Sequence, residues 1–180
     1  MLKTLAIIAG AIVVAVTAVL AYAATKPDTF RVERALDISA PPEKIYAILT
    51  DLKRSVEWSP YEKKDPDMNR SYSGMPAGKG AIYEWDGDSN VGAGRIEIAD
   101  VSVPDRVTMT LDMIRPFTAN NVVDYTMKPN GNGATKVTWA MHGPMPYMAK
   151  VMGTFFDVDK MVGTDFEVGL QNLKVYAERS

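Results

Sequence analysis

Side chains that could do covalent or acid–base chemistry are few in this sequence, and their scarcity removes whole classes of function. There is no cysteine, which excludes disulfides, thiolate nucleophiles and cysteine-ligated zinc. A single histidine, His142, cannot build a histidine-rich metal site. It follows the inward-facing Met141 in an alternating stretch and precedes Gly143-Pro144, so it is expected to face outward or to sit at a rim. General acid–base work needs a positioned partner, and the sequence supplies none for it. Asp86-Gly87-Asp88-Ser89-Asn90 followed by Glu97 has the carboxylate spacing of a calcium loop. Val91, however, stands where that loop needs glycine, and strands flank it instead of helices, so a solvated hairpin turn is expected. Gly92-x-Gly94 lacks the third glycine and the following helix of a dinucleotide fingerprint and reads as strand flexibility or a bulge. No G-x-S-x-G elbow, Walker loop or H-E-x-x-H helix is present. No catalytic residue, metal or cofactor is assigned.

What the sequence does offer is a set of large apolar side chains on converging faces. Tyr83, Trp85, Met109, Leu111, Tyr125, Trp139 and Met141 fall at inward positions of alternating strands, and Met152, Phe155, Phe156 and Phe166 fall on helical stripes expected to face them. Apolar walls with a few polar groups are what a small-molecule cavity requires, and methionine adapts to irregular contents. The competing reading is that each of these residues fills an ordinary core.

The elements that would carry them follow from periodicity. Phe30 to Ile38 alternates Phe30, Val32, then Leu36 and Ile38, as a first strand. Pro41-Pro42 opens a helix through Ile45, Ile48, Leu49 and Leu52 that frays toward Trp58-Ser59-Pro60. Strands follow over 79–86, 94–98, 107–113, 123–127 and 137–141, and Pro129-Asn130-Gly131-Asn132-Gly133 is a strong hairpin signal. From Tyr147 the spacing becomes helical through Met148, Met152 and Phe155/Phe156. Asp157 or Asp159 can then cap a long final helix carrying Val162, Phe166, Leu170, Leu173 and Tyr176. An α+β sheet of this kind needs a cover on one face, and the last helix is the segment long enough to provide it.

The first 25 residues differ in kind. Leu5 to Ala24 carries no charge and as a helix spans about 30 Å, the thickness of a hydrocarbon core. The run exceeds a usual signal h-region, which favours a retained anchor. A secretory signal peptide cut after Ala21-Tyr22-Ala23 also fits, giving a secreted protein instead. Lys26, Arg31 and Arg34 after the helix outnumber Lys3 before it and favour a cytoplasmic domain. The signal-like start favours export, and the exported side (periplasmic or extracellular) is adopted. The division is therefore 1–25, anchor or signal, and 26–180, one folded domain of ordinary globular composition, with 47% hydrophobic and 23% charged residues overall. A net charge of −2 provides no basic field, so no nucleic-acid partner is expected. A monomer is expected.

Six stretches run over nearly the whole length after residue 28: Ile38-x-Ala40-Pro41-x-Glu43-Lys44-Ile45-Tyr46, Trp58-Ser59-Pro60, Gly92-x-Gly94-x-Ile96, Pro104-x-Arg106-Val107, Gly133-x-Thr135-Lys136-Val137-Thr138-Trp139 and Met161-Val162-Gly163-x-Asp165-Phe166-x-x-Gly169-Leu170-x-x-Leu173-Lys174. Together they resemble the START-like superfamily of polyketide cyclases and lipid-transport proteins. The resemblance implies a helix-grip fold: a curved antiparallel sheet of six or seven strands around a long C-terminal helix. It also implies a cavity for a lipid or another hydrophobic or amphipathic ligand. A cyclase/dehydrase-like enzyme and a co-chaperone-like partner module are the alternatives, and the resemblance supplies no universal catalytic residue.

Overall fold

The computed structural model describes residues 2–179. Helix α1 (Leu2–Ala24) precedes strand β1 (Thr29–Ile38) and helix α2 (Pro42–Thr50). Pro41 lies extended just before α2, and Pro42 takes its first turn, where a missing N–H costs nothing. The chain then makes a 3-10 turn over 52–54 and two short helices, α3 (Ser55–Trp58) and α4 (Pro60–Lys64). Six strands follow: β2 (Asn69–Gly74), β3 (Ala81–Asp86), β4 (Ala93–Ser102), β5 (Arg106–Arg115), β6 (Ala119–Pro129) and β7 (Thr135–Pro144). Helices α5 (Tyr147–Met152) and α6 (Val158–Arg179) complete the chain.

The seven strands form one antiparallel sheet in the order β1-β7-β6-β5-β4-β3-β2, so that β2 to β7 meander and β1 closes onto β7. Register shifts at Ala93/Gly94 and Ile98/Asp100 in β4 bend the sheet. The strand residues expected inward are inward: Tyr83, Ile98, Val107, Met109, Val123, Tyr125, Met127, Val137 and Trp139 are all buried. Helix α6 lies across this face, with Phe166, Leu170 and Leu173 buried against it. Its first turn is capped by Asp157, whose Oδ1 accepts from the Lys160 N–H at 3.0 Å. Arg34, the residue that breaks the apolar series of β1, grips that end: its guanidinium donates to Asp159 Oδ2 at 2.9 Å and Glu167 Oε1 at 2.7 Å.

Two expectations change. Strand β2 has no counterpart in the sequence reading, because Asn69-Arg70-Ser71-Tyr72-Ser73-Gly74 carries one large apolar residue and forms a sheet edge. The helical stripe after Tyr147 does not face the sheet. Helix α5 ends at Met152, the chain turns over 153–157, and Met152, Phe155 and Phe156 are exposed on the outside. Their spacing is helical, but the break before α6 points them away from the cavity.

Candidate functional site

Between the concave face of the sheet and the helices lies a cavity of about 380 Å³. The sheet side is made by Tyr83 and Trp85 of β3, Ile96 of β4, Met109, Leu111 and Met113 of β5, Asn121, Val123 and Tyr125 of β6, and Trp139 and Met141 of β7. The helical side is made by Ile48, Leu49 and Leu52, by Ser55, Trp58, Tyr61 and Glu62, and by Phe166. Eight of the eleven residues singled out from the sequence thus line one space, whereas Met152, Phe155 and Phe156 do not. The inner end is an aromatic cluster. Trp139 stacks on Phe166 at 4.2 Å between ring centroids and 11° between planes, with Tyr125 at 5.1 Å and the edge of Trp58 at 5.8 Å. Stacked and edge-on pairs of this kind add about 0.5–1.5 kcal/mol each beyond area burial and hold the rings in place.

The exposed lining residues, Ser89, Asn90 and Pro116, sit in the β3–β4 and β5–β6 turns, so the cavity meets solvent there. The two turns are locked together. Gly92 has φ +66°, and a Cβ on it would strike the carbonyl of Arg115, so glycine is required for both the conformation and the approach. The Arg115 guanidinium also pairs with Asp86, and Trp85 Nε1 donates to the Val91 carbonyl at 3.1 Å.

One ionic cluster lies in the wall. The Glu62 carboxylate, only 4% exposed, accepts from the Tyr83 hydroxyl at 2.7 Å and from Arg70 Nε at 2.7 Å; the Ser55 hydroxyl lies 3.4 Å away and donates to the Leu52 carbonyl at 2.7 Å. Burial, reinforced by the hydrogen bond to Glu62, raises the Tyr83 phenol well above its ordinary value, so it remains a donor. Burial likewise raises Tyr61 and Tyr125, so the cavity's phenols stay neutral. A carboxylate has about four acceptor positions, which leaves Glu62 able to accept from a further donor. Sequence reasoning missed this residue: it sits in the short α4 segment, directly after Trp58-Ser59-Pro60-Tyr61 and before Lys63-Lys64, where a glutamate looks like part of a solvated charged face. Among the described residues, three buried side-chain polar atoms make no hydrogen bond: Trp58 Nε1, Trp139 Nε1 and Asn121 Oδ1. All three belong to cavity-lining residues.

His142 lies outside this site. It is on the outer face of the sheet, part-exposed, with Nε2 3.3 Å from Asp124 Oδ2, which neighbours the Thr108 hydroxyl bonded to Asp124 Oδ1. The segment 86–97 is the β3–β4 hairpin. Among the described residues no group of three or more His, Asp or Glu could hold a metal ion.

A curved seven-stranded sheet gripping a long C-terminal helix, with a cavity between them, defines a helix-grip, Bet v 1-like α+β domain. The sequence agrees: residues 29–178 match the polyketide cyclase/dehydrase and lipid transport family, and the chain belongs to it. No curated protein matches the sequence. Among solved structures, the chain resembles protein CV1439 from Chromobacterium violaceum (16% identity, TM-score 0.59, covering 86% of this chain and 100% of that one). It also resembles protein MLL2253 from Mesorhizobium loti (22%, 0.56, 84% and 98%) and Ara h 8.0201 (12%, 0.55, 84% and 99%). At these identities the likeness is one of fold.

Proposed function

We propose that this chain binds a small amphipathic molecule in the cavity and does so at a membrane. The apolar body of the ligand lies against Met109, Leu111, Trp139 and Phe166, and a hydroxyl or amino group donates to Glu62. One observation carries the reading: the walls are apolar, yet a buried carboxylate and all the unpartnered buried polar atoms found among the described residues belong to residues of the same space. An unmet buried polar atom costs about 1–3 kcal/mol, which a ligand group able to reach it would recover. The volume is at the lower end of the range of about 300–1,000 Å³ for small-molecule pockets, which suits a small ring system or a single acyl chain. The segment Lys3–Ala24 is long and apolar enough to cross a membrane, a property it shares with signal sequences. In this reading it is retained and holds the domain on the exported face.

A second reading rests on Glu62 itself. A buried, oriented carboxylate beside a phenol suits a cyclase- or dehydrase-like enzyme, in which the cavity folds a flexible substrate and Glu62 orients a polarised hydrogen. Native mass spectrometry of the full chain, purified in mild detergent, tests binding. The expected result is an adduct of a small co-purifying molecule that leaves on denaturation. A chain that carries no adduct and takes up no apolar fluorophore would contradict it.

A further inference from the structure

Met152, Phe155 and Phe156, which do not line the cavity, lie in an exposed apolar region beside the end of α1. The Tyr147 hydroxyl donates to the Leu20 carbonyl at 2.9 Å, the Lys26 ammonium to the Gly153 carbonyl at 2.5 Å, and Lys150 pairs with Asp28 at 2.6 Å. These bonds fix α5 against the last turns of α1. Leu20 lies four residues inside the Ala24 end, about 6 Å along the axis. If the bilayer surface meets the helix at Ala24, Tyr147 sits within the headgroup–acyl boundary, the depth of about 5–10 Å reached by interfacial helices and the level that tyrosine favours. The outer side of α5 and the turn after it suit that depth: Met148 is 70% exposed and Phe155 67%, and Met152 and Phe156 are exposed beside them. The lysine of α5, Lys150, is turned inward and buried on Asp28.

Strand register extends the same level across the sheet. Thr29 at the start of β1 pairs with Pro144 at the end of β7, His142 with Val122 near the start of β6, Ala119 with Met113 near the end of β5, and Arg115 with Ala93 at the start of β4. The β5–β6 and β3–β4 turns therefore lie at the α1 end of the sheet. They carry the exposed cavity residues, and Phe117 at the tip of one of them is 78% exposed.

We propose that this rim, formed by α5, the turn 153–157 and the β5–β6 turn, rests in the surface of the same bilayer that α1 spans, so that the cavity mouth opens toward lipid. The cargo then comes from the membrane without crossing bulk water. The proposal rests on the retained anchor of the preceding section. Charge opposes such a contact, and here Arg115 is paired with Asp86 and Lys150 with Asp28, while the exposed Asp157 carboxylate at the end of the turn accepts from the Lys160 N–H at the start of α6.

The cysteine-free chain permits a clean test. Single variants Val13→Cys, Met148→Cys, Phe155→Cys, Phe117→Cys and Val103→Cys are labelled with an environment-sensitive fluorophore and placed, one chain per disc, in phosphatidylcholine nanodiscs. Quenchers are attached to the lipid chains at shallow or deep positions. The expected result is loss of most fluorescence to shallow quenchers at positions 148, 155 and 117, loss to deep quenchers at 13, and no loss at 103, on the β4–β5 turn at the opposite end. A probe at Phe155 or Phe117 that no lipid quencher reaches, with Val13 quenched, overturns the rim contact and leaves the anchor standing. A dry but unquenched probe there points to a protein partner and also overturns it. An unquenched Val13 probe overturns the anchor and this proposal together.

Discussion

The indole of Trp139 occupies the space that a side chain on Gly169 would need: a Cβ there would come 2.5 Å from Trp139 Cζ3 and 3.0 Å from Pro60 Cδ. Gly169 thus sets how closely α6 approaches the aromatic floor of the cavity, one turn from the Phe166 ring that Trp139 stacks on. In an unconstrained helix Gly→Ala gains about 1 kcal/mol, whereas overpacking a closed site costs about 1–3 kcal/mol. Gly169→Ala is therefore expected to lower the stability measured by urea denaturation and to weaken binding of an apolar fluorophore. A variant as stable as the parent would show that the indole gives way freely.

Glu62 and Glu33 offer a contrast in ion-pair strength. The pair Glu62–Arg70 is 4% and 23% exposed, whereas Arg31–Glu33 lies in solvent. Removing one partner of a buried pair costs about 3–5 kcal/mol, with the lower end expected here because Arg70 reaches water. A surface pair is worth about 0–1 kcal/mol. Urea denaturation should place Glu62→Ala at least about 2 kcal/mol below Glu33→Ala. Equal values would mean that Glu62 is not locked in the wall.

The grip of Arg34 on α6 is pH-dependent. The hydrogen bond from Arg34 holds the Asp159 carboxyl below its ordinary value of 3.8. A folded value below the unfolded one stabilises the fold above the unfolded value, and that contribution is lost as pH falls through the folded value. Amide exchange at the start of α6 should speed up relative to the sheet as the pH drops below about 4, and Arg34→Met should remove that difference. An acid response unchanged by Arg34→Met would assign it to other carboxylates.

Much of the architecture is legible in the sequence because half-buried strands alternate. Tyr83/Trp85, Met109/Leu111 and Trp139/Met141 each mark one face, and Phe166, Leu170 and Leu173 mark the buried stripe of α6. Hydrophobic spacing does not say what a surface is buried against, so Met152, Phe155 and Phe156 looked like cavity wall. A polar edge strand such as β2 leaves no apolar alternation, and Glu62 becomes part of the wall only through tertiary contacts with Tyr83 and Arg70. Arg34 did leave a trace, the one charged residue in the inward series of β1, at the place where α6 supplies Asp159 and Glu167.

Helix α1 touches the domain through α5 and contributes little else to it. Deleting 2–25 removes the Tyr147–Leu20 bond but no residue of the sheet or of α6. The remaining chain is expected to melt cooperatively, within a few degrees of the full protein, and to be released from membranes by the loss of α1. A noncooperative melt would contradict the division at residue 26.

If the space between sheet and helix is a binding site and not a packing defect, filling it must displace the ligand. Leu111→Trp places an indole in the cavity, and binding of an apolar fluorophore is titrated alongside the melting temperature. The expected result is binding weakened at least about tenfold, a loss of about 1.4 kcal/mol, with the melting temperature held or raised because a void has been filled. Unchanged affinity in a folded Leu111→Trp protein would place the fluorophore outside this space and leave the cavity without a binding role.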